Sequence, residues 1–370
     1  MLTPDQTRAL QILYTRLSEP ITEYLLTDIS RRIKEAGQLT STAAYQAYQA
    51  ELLGVSLPEI EKRISELTGQ SVEQAREIIS QAAEFGYSDD IARLAGGVAF
   101  ADNSTVQQLL TGYLELVDSD LRNITKTLGF VGVDGQVHIL RDAYTSTTDF
   151  AFNQVITGAT DYNTAIRQAC TKLASFGVQY VDYASNISTS MEAAIRRNLL
   201  SGTGQLVEKI SQKNHDDLGA DGWEISAHAA CAPDHEPIQG KQFSDKEYEE
   251  LNNSLARRIG TLNCGHNASP IIMGISKPQY TNEELEQFKR DNKVGVSYEG
   301  REFATVYEAT QYQRAIERSI RAWKRRVMVG TNPNAEARLK ALRAEYRRFC
   351  KATGLRTEDE RLFVGGFKAK

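Results

Sequence analysis

The sequence predicts a predominantly α-helical α+β protein, and three observations predict it. Apolar residues recur every third or fourth position through most of residues 1–176 and again beyond residue 301, the period of an amphipathic helix. Between these regions, around 178–181 and 223–227, β-forming and alternating residues take over, the signature of strands. The same middle stretch carries two short histidine and cysteine runs. The expected organisation is a helical N-terminal region over 1–176, a small α+β domain over 177–300 holding the His/Cys runs, and a basic helical hairpin with a tail over 301–370.

The elements follow in order. Leu10, Leu13, Tyr14 and Leu17 repeat at helical spacing, and Pro20, which lacks an amide hydrogen, is expected to end that helix. Ile21, Leu25, Ile29 and Ile33 mark a second helix, stopped by Gly37. Pro58 opens a short one carried by Ile60, Ile64 and Leu67. Ser71 and Gln74 read as a capping box ahead of Val72, Ala75, Ile79 and Ala82, with Gly86 at the close. These helices suit a small bundle or arms that dock on another subunit, and none carries a chemical motif. Gly96-Gly97 reads as a turn, since no G-K-[ST] follows to make a phosphate loop. Residues 133–140 alternate and suggest a hairpin arm, and Ile166, Cys170, Leu173 and Phe176 mark a helix stopped by Gly177. Val178, Tyr180, Val181 and Tyr183 then read as a strand, followed by a helix over 190–200. Trp223, Ile225 and Ala227 begin another strand, which leads into the first His/Cys run.

That run holds His228, Cys231 and His235, and the second holds Cys264 and His266. The spacing is H-x2-C-x3-H, a gap of 28 residues, then C-x-H. Imidazole and thiolate donors suit tetrahedral Zn²⁺, and pairs of ligands delivered by two distant loops are how small zinc knuckles are built. Four positions suffice, so the preferred ligands are Cys231, His235, Cys264 and His266, with His228 as the alternate. The competing reading is a hydrogen-bonded polar network without metal. Between the runs, a charged helix is expected to start near Ser244; a short strand over 271–275, a polar helix over 280–294 and an edge strand at Val296 and Tyr298 follow.

The C-terminal part predicts two long helices. Tyr312, Ile316, Ile320, Trp323 and Val327 form one apolar stripe, and Leu339, Leu342, Tyr346 and Phe349 form its partner. Arg314, Arg318, Arg321 and Arg325, with Lys340, Arg343, Arg347 and Lys351, are expected on the outward faces, where they are candidate nucleic-acid-binding residues. Residues 301–351 hold 13 basic and 5 acidic side chains, a surplus of eight in a chain whose net charge is −5, so the basic character belongs to this hairpin.

Totals narrow the class. The 41% hydrophobic and 25% charged content is that of an ordinary globular protein. No apolar run approaches the ~18 residues of a membrane span, and the N-terminus lacks a secretory pattern, so no membrane partner and no secretion are expected. Four cysteines are too few for a disulfide framework, and Cys170 and Cys350 read as small buried hydrophobes.

Trp223, Glu224, Ser226, Ala227 and His228, then Pro233 and His235, then Gln239, Gly240 and Lys241, then Asn263, Cys264 and His266 together resemble the phage minor capsid protein 2 family, a tailed-phage head family related in concept to the Mu F-like head-morphogenesis proteins. The stretch from Tyr307 to Arg325 resembles that family's C-terminal helix, and the likeness runs from about Val178 to Arg326. It implies a structural component of the virion, made in the cytoplasm of a bacterial host and present in few copies near the portal. It further implies partnership with portal or major capsid protein, and a part in head assembly or in stabilising packaged DNA. The residues themselves leave two rivals. One is a zinc-dependent hydrolase or nuclease using His228, Cys231, His235, Cys264 and His266, with Glu224, Asp234 or Glu236 as base. The other is a sequence-independent nucleic-acid-binding module using the hairpin. No H-E-x-x-H and no serine or cysteine with a recognisable base partner supports the enzyme.

Overall fold

The computed structural model describes residues 4–94, 96–182, 187–260, 264–293, 295–330 and 332–367, with side chains from Leu17 onward except those of residues 187 and 201. The side chains of Leu10, Leu13 and Tyr14 therefore lie outside the described part, as do Tyr183 and Asn263. The protein is predominantly helical with small antiparallel sheets, as the sequence predicts.

Helix α1 (Pro4–Ala36) runs straight through Pro20, where the sequence predicted an end. Leu17, Ile21, Leu25, Ile29 and Ile33 are each 1% exposed or less, while Pro20 is exposed. Burying five large aliphatics at ~1.5–3 kcal/mol each outweighs the ~3 kcal/mol of an internal proline. Helix α2 (Thr42–Glu51), N-capped by Ser41, passes through a wide turn at Leu52–Ser56 into helix α3 (Leu57–Leu94). The predicted capping box at Ser71 does not form. Ser71 is buried inside α3, and its hydroxyl donates to the Leu67 carbonyl at 3.1 Å and to the Leu17 carbonyl at 3.0 Å, the in-helix alternative open to a serine.

Helix α4 (Ser104–Lys126) precedes a hairpin of β1 (Leu128–Val131) and β2 (Val137–Ile139), then α5 (Leu140–Ile156) and α6 (Tyr162–Phe176). Strands β3 (Gln179–Asp182) and β4 (Ile187–Ser190) complete a sheet of order β2-β1-β3-β4. Ser190 caps α7 (Met191–Leu218), which runs well past the predicted stop near residue 200. It continues because Leu206, Val207 and Ile210 are buried as α7 packs on α1, α3 and α4. Asp90 of α3, 1% exposed, accepts hydrogen bonds from Ser211 at 2.6 Å and Asn214 at 3.2 Å of α7. Gly86 of α3 faces this partner too: a Cβ there would meet Val207 at 3.4 Å. It serves helix packing and does not end α3.

The second sheet has order β6-β5-β7, with β5 (Gly222–Ile225), β6 (Gln242–Ser244) and β7 (Ala268–Ile271). Helix α8 (Asp245–Ser254) starts at a capping box of Ser244 and Glu247, and α9 (Asn282–Asn292) at one of Thr281 and Glu284. A ribbon of β8 (Val296–Tyr298) and β9 (Arg301–Phe303) leads to α10 (Val306–Val329) and α11 (Ala335–Thr353). Ile316, Ile320, Leu339, Leu342, Tyr346 and Phe349 share one core, with Tyr312 and Trp323 packed against it. The predicted seam is thus the observed one.

Beyond α11 the chain turns back through a short 3₁₀ turn, Asp359–Leu362. Leu362 and Val364 are buried, and the Gly365 amide donates to Glu19 Oε2 of α1 at 2.9 Å. Glu19 is itself 2% exposed. Burial pushes its carboxyl up from 4.5 to about 7, against the opposing pull of the Gly365 amide and of Arg325.

Two outcomes follow. Ile29→Ala should lower unfolding stability by about 2–5 kcal/mol, whereas Val55→Ala, at a side chain 56% exposed, should cost less than about 0.5 kcal/mol; denaturant midpoints measure both. The folded state holds the Glu19 proton to higher pH than the unfolded chain does. Its contribution is therefore fully present below 4.5 and lost as pH rises through about 7. Glu19→Gln should flatten the decline in stability across that window in urea titrations at stepped pH.

Candidate metal centre

Strand β5 is central in its sheet, and all four of its residues are buried. It fixes where both His/Cys runs begin. The first run leaves β5 as a loop closed at its base, where Gly240 N–H donates to the Ile225 carbonyl at 2.8 Å and Ile225 N–H to that of Lys241 at 3.1 Å. Gly240 has φ +69°, and a Cβ there would collide with Leu285 of α9, so only glycine closes the loop. Inside it, the amides of His235 and Gln239 donate to the carbonyls of Ala232 at 3.0 Å and His235 at 3.1 Å, which winds the loop into turns. The second run enters β7 beside β5. Ser226 N–H donates to the Asn267 carbonyl at 2.8 Å, and Asn267 N–H donates to Ser226 Oγ at 2.9 Å. This reciprocal pair brings residues 35 positions apart, Cys231 and His266, into contact.

Three donors converge: His235 Nδ1, Cys264 Sγ and His266 Nδ1. The two nitrogens lie 3.4 Å apart, and the sulfur lies 3.3 Å from His235 and 3.6 Å from His266. His235 and His266 are 1% and 2% exposed. The surrounding acceptors fix both tautomers. His235 Nε2 is 3.0 Å from the Arg257 carbonyl, which only accepts, so Nε2 carries the hydrogen and Nδ1 the lone pair. His266 Nε2 is 3.2 Å from Gln239 Oε1, the oxygen that also accepts from His228 N–H at 3.1 Å. His266 Nε2 therefore donates too, and its Nδ1 also presents a lone pair. Two lone pairs facing each other across 3.4 Å make no hydrogen bond; a cation between them satisfies both. Zinc bonded to nitrogen at about 2.0–2.1 Å and to thiolate sulfur at about 2.3 Å in a tetrahedron puts its ligands about 3.3–3.5 Å apart, which matches the donor separations.

Of the predicted ligands, His235, Cys264 and His266 form the group able to hold a metal ion. Cys231 does not join them. Its Sγ lies 3.4 Å from Nε2 of His266, the nitrogen turned away from the centre, and its thiol donates to the Ala232 carbonyl at 3.3 Å. His228 stacks on the His266 ring, with centroids 4.4 Å apart. Its Nδ1 donates to the Ala229 carbonyl at 2.8 Å, and its buried Nε2 has no partner. Without a cation, four of the groups are pushed toward their neutral forms. Burial first, then His228 and His235, push His266 down to about 3, and burial first, then Cys264, pushes the Cys231 thiol up to about 12. Burial also raises Cys264 and lowers His228. A bound metal inverts this logic by binding thiolate and neutral imidazole directly.

The candidate bases are occupied elsewhere. Glu224, 1% exposed, accepts from Gln242 Nε2 at 3.1 Å and Gln279 N–H at 2.6 Å. Asp234 is clamped by Arg257 Nη2 at 2.6 Å and Nε at 3.2 Å, and Glu236 accepts from Asn292 at 3.0 Å. Lys241 is exposed. The roles of Gln239 and the Arg257 carbonyl were not read from sequence. Gln239 stood among the motif residues, but nothing in its spacing says that it orients His266, and a main-chain carbonyl leaves no sequence signal.

The basic rows are only partly outward. Arg318, Lys340, Arg347 and Lys351 are exposed, and Arg314 and Arg343 are half-buried. Arg321 and Arg325 turn inward, contrary to the predicted outward row. Arg321 is 8% exposed and pairs with Glu192 of α7 at 3.0 Å, while Arg325 Nε donates to the Ala174 carbonyl at 3.1 Å. They point inward because α10 packs against α6 as well as α11, so a face free in an isolated hairpin is covered.

The profile of the family described as phage minor capsid protein 2 matches residues 2–351, nearly the whole chain and well beyond the resemblance read from motifs. No curated protein and no solved structure matches it.

The geometry separates the cysteines. Cys264→Ser should lower both zinc content and thermal midpoint, since structural zinc binding is coupled to folding. Cys231→Ser should leave metal content unchanged, and Gln239→Ala should weaken binding by about 10–100-fold through loss of the oriented imidazole. Elemental analysis and chelator competition read these outcomes; metal-free wild-type protein as stable as its Cys264→Ser variant would leave only the polar network.

Proposed function

The chain belongs to the phage minor capsid protein 2 family, and from that membership we propose that it is a structural head protein of a tailed phage, placed near the portal. The observation that carries this reading is the extent of the family match, residues 2–351. Portal or major capsid protein is its proposed partner, and head assembly its proposed role. No helix among the described residues is long and apolar enough to cross a membrane.

In this reading His235, Cys264 and His266 hold a structural Zn²⁺ that would tie the loops leaving β5 and entering β7. Three protein donors leave a fourth position, and catalytic zinc sites are built that way; this is the observation that keeps a hydrolase in view. Against it, both imidazoles are buried and Cys264 is half-buried, and the adjoining groove of ≈ 720 Å³ is lined by Glu236, Gln239, Lys241, Tyr280 and Lys289 but by none of the three. The exposed cations of the hairpin, Arg318, Lys340, Arg347 and Lys351, are proposed to contact packaged DNA through its phosphates without reading sequence.

Three measurements test these statements. The protein should co-purify with mature heads and be pulled down by portal or major capsid protein; absence from heads would end the structural reading. With Zn²⁺, Mg²⁺ or Mn²⁺ added, it should not hydrolyse DNA, RNA or peptide bonds, and turnover abolished by His235→Ala in a folded protein would establish the enzyme instead. Replacing Arg318, Lys340, Arg347 and Lys351 by glutamine should reduce the salt dependence of DNA binding by about 0.9 in log–log slope per lost phosphate contact.

A further inference from the structure

Residues 358–367 fold back over α10 and meet cations there. Arg321 Nη1 donates to the Arg361 carbonyl at 2.6 Å, and Lys324 Nζ donates to the Leu362 carbonyl. Phe367 lies beneath Lys324 again and one further charge, with Lys324 Nζ 5.3 Å and Arg343 Cζ 5.9 Å from its ring centroid. Lys324 is 6% exposed, and burial followed by repulsion from Arg343 holds its ammonium down at about 8. A main-chain carbonyl is a weak partner for a buried ammonium, since charge-assisted bonds to anionic oxygens are roughly twice as strong. The segment also brings its own anions: Glu358, Asp359 and Glu360 against Arg361, three acids and one base, leave two net negative charges over this basic face. The family match stops at residue 351, so the segment lies outside it.

We propose that residues 358–367 are a self-masking strap, occupying in cis a phosphate-binding face made by Arg321, Lys324 and Arg343, and that the DNA backbone displaces it. The proposal rests on the reading of the hairpin as a DNA contact. The strap imitates its competitor, with oxygens on Arg321 and Lys324 and carboxylates close by. Elsewhere the strap is held by buried Leu362 and Val364 and by the Glu358 amide on Tyr346 Oη at 2.8 Å; at its end the Gly365 amide reaches Glu19, and Gly366, at φ +69°, lies so close to Glu23 that a Cβ would clash with that side chain. Lifting the strap frees Lys324 and Arg343 and takes the Glu358–Glu360 carboxylates away from them, while Arg321 keeps its ion pair with Glu192 at 3.0 Å.

The test compares the full chain, a chain ending at Arg356, and full-length Gly366→Val, which loosens the strap without deleting it. Binding of short random-sequence duplex DNA is followed by fluorescence anisotropy over about 50–200 mM salt. Both altered forms should bind about tenfold more tightly, with a salt slope steeper by about 0.9 for each added phosphate contact, at Lys324 and at Arg343. Lys324→Gln with Arg343→Gln should erase the gain in the shortened chain. In the full chain, saturating DNA should speed hydrogen exchange at 358–367. If the shortened chain loses its cooperative melt, Gly366→Val and the exchange measurement decide alone. Equal affinity of full and loosened chains, a gain that survives the double substitution, or unchanged exchange in the DNA-bound chain overturns the strap. Should the full chain still bind through Arg318, Lys340, Arg347 and Lys351, the DNA reading survives that failure; binding by no form at the lowest salt overturns both.

Discussion

Two buried imidazoles that turn their lone pairs toward each other form an arrangement that the single proton of the neighbouring Cys264 thiol can satisfy on one side only. His235 and His266 are held so by the Arg257 carbonyl and by Gln239. Gln239 is fixed in turn by the His228 amide, and the loops that carry both imidazoles are joined by the Ser226–Asn267 exchange. The chain of cause runs outward from there. The central strand β5 must be buried for its loops to meet, and Glu224 must be fully bonded for β5 to be buried. Gly240 must be glycine for the first loop to close under α9. The donor set is a property of the whole sheet, not of five residues in a motif.

That sheet is joined to the helical body at close range. Gly204 in the middle of α7 sits where a Cβ would collide with the Gly260 carbonyl, on the segment leading to Cys264. Arg258 and Glu208 form an ion pair at 3.3 Å across the same junction. An exposed pair of this kind contributes at most about 1 kcal/mol, so the close backbone packing, which any side chain at 204 would prevent, does more to hold the segment in place. A glycine in the interior of a helix costs about 1 kcal/mol in propensity, and at position 204 this close approach explains it.

Much of this was legible in the sequence. The α+β class, the hairpin seam and the clustering of two distant His/Cys runs all rest on periodicity or spacing, and the structure bears them out. What was not legible depended on competition between local and tertiary terms. Pro20 and Ser71 are local signals for helix ends, yet both sit within helices whose buried stripes continue past them. Spacing placed Cys231 and His235 as an equivalent pair, but ring orientation turned the wrong nitrogen of His266 toward Cys231. Arg321 and Arg325 obeyed helical periodicity; only the presence of α6 and α7 on that side decided that they face protein.

The contact between Gly365 and Glu19 joins positions 346 apart in sequence. Synthesis proceeds from the N-terminus at about 5–20 residues per second, so roughly 17–70 seconds separate the appearance of the two partners on the ribosome. Throughout that interval α1 carries a carboxylate that its final surroundings would bury, with nothing yet there to receive it. The helix that is made first is therefore finished last. A subunit that binds α1 during this interval meets a surface that the completed chain no longer presents.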